Sequence, residues 1–210
     1  MLWGGHSGGL ELRKRASGAM ALHGRFPYGK RAVLSDGGRT GRPRKEVIAP
    51  RAFGYRVDRP EEDIHLLVGH SFDRPLASRG AGTLDLRDSD DALSFVATIS
   101  PEMQEVSYVR DVLTAMAAGL IIGISPGFRL PPKRAVPEPE RIEDEGTDPE
   151  NGAYDAIIRT VLAALLYELS IVTRPAYDET QIEARSWTPT ETGLIRPASG
   201  VAMAARRWRA

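Results

Sequence analysis

Period-two alternation of apolar and polar side chains is the first regularity in this chain. Residues 64–70 set Ile64, Leu66, Val68 and His70 at every second position, the spacing of one strand face. This strand delivers His70 to its end, while His65 points to the opposite side. Upstream, EVIAPRAF (46–53) reads as a strand closed by a proline-marked turn. GTLDLRD (82–88) and ALSFVATIS (92–100) form a hairpin about Ser89-Asp90-Asp91. One clear helix follows: Ser100 is the N-cap, Pro101 the first helical residue, and Glu102 lies in the first turn. Val106, Val109, Val112, Leu113 and Met116 make its apolar face, and Gly119 ends it. LIIGIS (120–125) is a buried strand, interrupted at Ser125-Pro126-Gly127 and resumed at FRL.

Two stretches break the pattern. Residues 131–152 are proline-rich, acidic and aperiodic, which predicts a mobile loop. Between 154 and 173, Ile157, Ile158, Val161, Leu162, Leu165, Leu166 and Leu169 fit a helical stripe. The same segment also reads as a strand, YELSIVTRP, stopped by Pro175, with Leu166, Glu168, Ser170 and Val172 on one side. There is no internal repeat.

Composition narrows the class. The 210 residues are 41% hydrophobic and 27% charged with no net charge, as in a soluble globular protein of one domain. The absence of cysteine excludes disulfides, thiol nucleophiles and Cys-based metal sites, and four histidines leave little for a His-rich centre. No apolar run reaches the ~18 residues of a membrane helix, and no secretion signal pattern opens the chain. The zero net charge hides a segregation: residues 1–45 balance to +8, residues 46–185 to −11, and residues 186–210 to +3. Residues 1–45, basic and glycine-rich, are expected to be a disordered tail. Residues 46–185 then form the folded domain, with 131–152 as its mobile loop, and 186–210 a second tail whose VAMAARRW suits a short helix.

The chemistry centres on a serine. Gly123-Ile124-Ser125-Pro126-Gly127 matches G-x-S-x-G, the nucleophile-elbow pattern of α/β-hydrolases. That fold needs its histidine after the serine, whereas His6, His23, His65 and His70 all precede Ser125, so the reading fails. A serine hydroxyl still requires a base, and histidine titrates in the right range. His70, at a strand end where a side chain is both held and accessible, is the favoured candidate over His65. A carboxylate should orient the imidazole. Glu168, in the apolar run LLYELSIV, is costly to bury without a partner and is the first choice; on a helix it would simply face solvent. Asp73, Asp85 and Asp178 are substitutes.

Four motifs in order resemble the HK97-type prohead (head maturation) protease family of tailed phages and gene transfer agents. They are EVIAPRAF (46–53), VGHSFDRPLAS (68–78), GLIIGISPGFRL (119–130) and LLYELSIVTRPAYDETQIEA (165–184), spanning Glu46 to Ala184. The resemblance implies a serine endopeptidase with Ser125 as nucleophile, His70 as general base and Glu168 as third member, and no cofactor or metal. It implies a β-rich α+β fold: a compact β-barrel with surrounding helices, like herpesvirus assemblin, with strands rather than a helix at 154–173. Implied substrates are the scaffold protein or the N-terminal scaffold segment of the major capsid protein, and the protease's own tails, inside the immature prohead in the bacterial cytoplasm. A homo-oligomer is compatible with this; membrane and specific nucleic-acid binding are not expected. Pro126 and Ala77 depart from the family pattern, and Pro126 removes a backbone N–H near an oxyanion hole whose candidate donors lie at Gly127 to Arg129 and around Arg174. The competing classes are a catalytically silent capsid-assembly protein of the same fold and an unrelated β-rich binding module.

Overall fold

The computed structural model describes residues 10–39, 41–121, 123–148, 150, 153–173, 188–190 and 193–195. Strands dominate. In chain order they are β1 (Glu11–Lys14), β2 (Met20–Pro27), β3 (Arg31–Ser35), β4 (Arg44–Ile48), β5 (His65–Val68), β6 (Ser71–Ser78), β7 (Leu84–Asp88) and β8 (Ala92–Ile99). There follow β9 (Gly123–Arg129), β10 (Glu140–Asp144), β11 (Thr147–Asp148), β12 (Ala153–Tyr154), β13 (Ile157–Val161), β14 (Leu165–Val172), β15 (Thr188–Thr190) and β16 (Gly193–Ile195). Three helices interrupt them: α1 (Gly54–Val57), α2 (Pro101–Gln104) and α3 (Ser107–Ala117).

Three four-stranded sheets result, ordered β1-β2-β8-β7, β10-β13-β4-β3 and β6-β5-β14-β9, beside two two-stranded ribbons. The β-rich expectation holds, but the strands of the described residues do not close into a barrel. No helix among them is long and apolar enough to cross a membrane.

The stretch expected to be a disordered tail is built into these sheets from residue 10 onward, with residues 1–9 outside the described part. β2 pairs with β8 along its whole length and buries Ala21, Leu22 and Phe26. Composition misled because the pairing with β8, not a run of apolar residues within β2 itself, secures this strand. A Cβ on Gly24 would collide with the Phe95 ring, so glycine there is a packing choice. The acidic loop is corrected too: β10 pairs with β13, and β11 with β12. Its acids meet the basic N-terminal segment. Glu145 binds Lys45 at 2.6 Å and Arg31 at 3.2 Å, and the Lys45 ammonium holds the Glu145 carboxyl below its ordinary value. Arg42 reaches Asp144 and Asp155, while Arg159 sits between Glu46 and Glu140. Charges segregated along the sequence are therefore neighbours in space.

The single helix expected after Ser100 is two. Ser100 caps α2 by accepting from the Met103 amide, and the chain re-enters helix at Ser107. Gly119, at φ +71°, ends α3 in a Schellman arrangement, with its N–H on the Met116 carbonyl and that of Leu120 on Ala115. Strand β9 runs through Ser125-Pro126-Gly127 without interruption. It lies at a sheet edge, where a missing N–H need not remove a ladder bond.

The ambiguous 154–173 segment is strand, with breaks at residues 155–156 and 162–164. The helical stripe runs across two strands, and its last step arose from a β-bulge. Leu166 pairs with Phe128 and Glu168 with Gly127, so Tyr167 is an extra residue. The bulge puts Leu166 on the core face with Leu169, a spacing of three that imitates a helix. Leu166 therefore leaves the side where simple alternation placed it with Glu168.

Phe53 joins the layers. It is fully buried, with ring centroids 6.3 Å from Phe26, 6.1 Å from Tyr28 and 5.6 Å from Phe128 on β9. Removing a buried aromatic ring leaves both lost transfer energy and a cavity. Phe53→Ala should destabilise the fold by about 3–5 kcal/mol, read as a lower urea midpoint with an unchanged slope.

Candidate active site

The third sheet assembles the site from segments about a hundred residues apart. β5 runs parallel to β14, with His65 opposite Glu168 and Val68 opposite Ile171. β9 runs antiparallel on the other side, with Ser125 opposite Ser170 and Gly127 opposite Glu168. Directly opposed residues present their side chains to the same face. Ser125, Gly127, Glu168 and Ser170 therefore share one face of the sheet.

His70 reaches that face from a turn. Val68 pairs with Ser71, leaving Gly69 and His70 as a two-residue loop with φ +59° and +62°. Positive φ at both central residues is the signature of the type I′ hairpin turn. Glycine adopts it freely, whereas histidine with its Cβ pays roughly 1–2 kcal/mol. The turn is pinned to β14, with the Gly69 N–H donating to the Ile171 carbonyl at 3.1 Å. The His70 N–H donates to Ser170 Oγ at 2.7 Å.

The imidazole then meets the carboxylate. His70 Nδ1 lies 2.7 Å from Glu168 Oε1. The Glu168 side chain is 5% exposed and that of His70 46%. Ser170, fully buried, donates its hydroxyl to the other oxygen, Glu168 Oε2, at 2.8 Å. Both oxygens of the buried carboxylate are thus hydrogen-bonded, which offsets much of its desolvation cost. A carboxylate only accepts, so the proton of this contact sits on Nδ1 and Nε2 is left as a base.

Gly127 makes room for this arrangement. A Cβ at that position would lie 1.8 Å from Glu168 Oε1. Gly123 opens β9 and Gly127 lies within it, and neither has a positive φ, so the G-x-S-x-G match is no strained elbow. Its second glycine serves the carboxylate on the next strand.

The other candidates lie elsewhere. Despite its register beside Glu168, the His65 ring packs edge-on to Phe72 at 5.7 Å, with Nε2 3.5 Å from Asp63. Alternation alone therefore does not separate the two histidines; the turn does. Asp73 on β6 and Asp85 on β7 are exposed. Asp178 and Arg174 fall outside the described residues, while the Gly127–Arg129 amides lie on β9. Half-buried Ser125 makes no side-chain hydrogen bond to His70 among the described residues. Nucleophile–base bonds are commonly loose without substrate and tighten in the reactive complex. No group of three His, Asp or Glu side chains suited to a metal ion occurs among the described residues. The roles of Ser170 and Gly127 were not singled out from the sequence. The signal was present as E-x-S on one strand, since a buried acid needs a donor two residues away on its own face.

Gly127→Ala should expel the Glu168 carboxylate and cost about 1–3 kcal/mol by overpacking. In the nuclear magnetic resonance spectrum the hydrogen-bonded His70 Nδ1–H signal should vanish from a protein that remains folded. Its persistence would contradict this account of Gly127.

A nucleophilic hydroxyl, an imidazole with a free Nε2 and a buried carboxylate on one sheet face are the parts of an acyl-transfer site. No curated protein and no solved structure matches the chain. The profile of the caudovirus prohead serine proteases matches residues 35–193, most of the chain. The chain belongs to the caudovirus prohead serine protease family.

Proposed function

We propose that this protein is an active head-maturation endopeptidase with Ser125 as nucleophile, His70 as general base and Glu168 as the orienting carboxylate. The observation that carries the reading is the 2.7 Å contact between His70 Nδ1 and Glu168 Oε1, on the sheet face that also presents Ser125. Ser125 Oγ attacks the carbonyl carbon of a peptide bond as its proton passes to His70 Nε2. The tetrahedral intermediate collapses, the departing amine takes that proton, and an ester to Ser125 remains. Water, deprotonated by the same Nε2, then releases the acid and restores the serine. Glu168 holds the tautomer and stabilises the imidazolium without taking up the proton.

The substrate in this reading is the scaffold protein or the N-terminal scaffold segment of the major capsid protein, cleaved within the prohead as it forms in the host cytoplasm. The kinship to herpesvirus assemblin belongs to the same reading. It is supported by a serine and a histidine held on a β-framework rather than at a strand–helix elbow. In this reading self-cleavage spares the core strands, because a cut between residues 27 and 35 would sever Leu22 and Phe26 from the rest of the core.

Intact masses decide the matter. The chain and its Ser125→Ala variant, each co-expressed with the cognate capsid protein, should differ: trimming of the capsid N-terminus occurs only with the unaltered enzyme. Glu168→Gln should retain the fold yet lower the cleavage rate by about 10⁴-fold, the order seen when a triad carboxylate becomes an amide. Identical masses for the unaltered chain and Ser125→Ala in assembled particles would instead mark a catalytically silent assembly protein.

A further inference from the structure

We infer that Ser170 is a positioning residue for the catalytic pair, holding the His70 imidazole and the Glu168 carboxylate in register. The inference rests on the protease reading of the site and adds a fourth residue to it. Three hydrogen bonds form a closed ring that begins and ends on His70. Its backbone N–H donates to Ser170 Oγ at 2.7 Å, and the Ser170 hydroxyl donates to Glu168 Oε2 at 2.8 Å. Glu168 Oε1 returns to His70 Nδ1 at 2.7 Å. A side chain tied at both its backbone and its ring to one carboxylate–hydroxyl unit has little freedom left about its χ angles. Each donor in such a chain also polarises the next.

The alternatives for Ser170 fit less well. It is no second nucleophile, since it is wholly buried and its hydroxyl hydrogen is committed to Glu168. Nor is it a filler of the core. The flanking Leu169 and Ile171 belong to the apolar cluster, while Ser170 faces Ser125 across the strands. A methyl group there would remove the hydrogen bond from two polar partners: the amide of His70, a residue at positive φ, and one oxygen of the buried Glu168 carboxylate. The hydroxyl serves both at once. Its consequence is directional, because fixing Nδ1 on Glu168 fixes where Nε2 points.

The test compares the full chain with Ser170→Ala, Ser170→Cys and Ser170→Thr. Cysteine keeps the bulk but weakens both hydrogen bonds, and threonine keeps the hydroxyl. Two readouts are taken: the rate at which a fluorophosphonate labels Ser125, and the solvent exchange of the His70 Nδ1–H resonance. Alanine and cysteine should each slow labelling by about 10- to 100-fold, the loss expected for a hydrogen bond to a charged group. They should also speed exchange of the Nδ1 proton, and threonine should recover most of both. Should the alanine variant fail to fold, the cysteine variant carries the comparison. Labelling and exchange unchanged in folded Ala or Cys variants would overturn the inference. If the unaltered chain does not label, the protease reading fails, and the exchange readout alone still judges Ser170.

Discussion

The site depends on the burial of one carboxylate. Glu168 lies in the middle of a strand, its side chain 5% exposed, where an unpartnered negative charge would not be tolerated. Two donors are supplied, His70 Nδ1–H and the Ser170 hydroxyl. Leaving a buried acceptor without its donor typically costs about 1–3 kcal/mol, and more when the acceptor is charged. The demand for those donors explains features that look unrelated. Histidine accepts a left-handed conformation because the turn places its ring over the carboxylate. Residue 127 is glycine because any side chain would occupy the carboxylate's place.

Secondary structure then decides where the pieces meet. The parallel pairing of β5 with β14 brings residues 65–68 against 168–171, which no local interaction could do. Antiparallel β9 adds Ser125 from the other side, at the edge of the sheet. The bulge at Tyr167 divides β14 into two phases, one feeding Leu166 to the core and the next presenting Glu168 and Ser170 to the site. Beneath the sheet, Phe128 packs on Phe53, so the strand that carries Ser125 is anchored to the aromatic centre of the fold.

Part of the charge segregation along the chain is resolved inside the fold. Lys45 and Arg31 converge on Glu145, whose second oxygen also accepts from the Tyr154 and Ala156 amides. Arg42 and Arg159 add further pairs between the N-terminal strands and the acidic segment. The exposed pairs among these contribute little individually and are weakened by salt, whereas Lys45–Glu145, with side chains 13% and 3% exposed, is shielded from it. Their value lies in register: they join β4, β10 and β13, which are distant in sequence, into one sheet.

Local regularities were legible in the sequence by itself: the β-rich middle, the strand leading towards His70, the hairpin of 82–88 with 92–100, the Ser100 cap and the Gly119 stop. These follow from short-range sterics and from alternation, and the motifs around His70, Ser125 and Glu168 carried the family. What alternation could not deliver was anything that depends on a partner strand. The N-terminal strands were hidden because Ala21 and Gly24 bury little surface themselves, and Gly24 gains its place from the Phe95 ring on the neighbouring strand. The 157–169 stripe imitated a helix because it runs across two strands and the break between them, and because a bulge then shifts the phase of β14 by one residue, which only β9 opposite reveals. Ser170 and Gly127 took on their roles only when three distant strands lay side by side, because a buried charge is satisfied by neighbours in space and not in sequence.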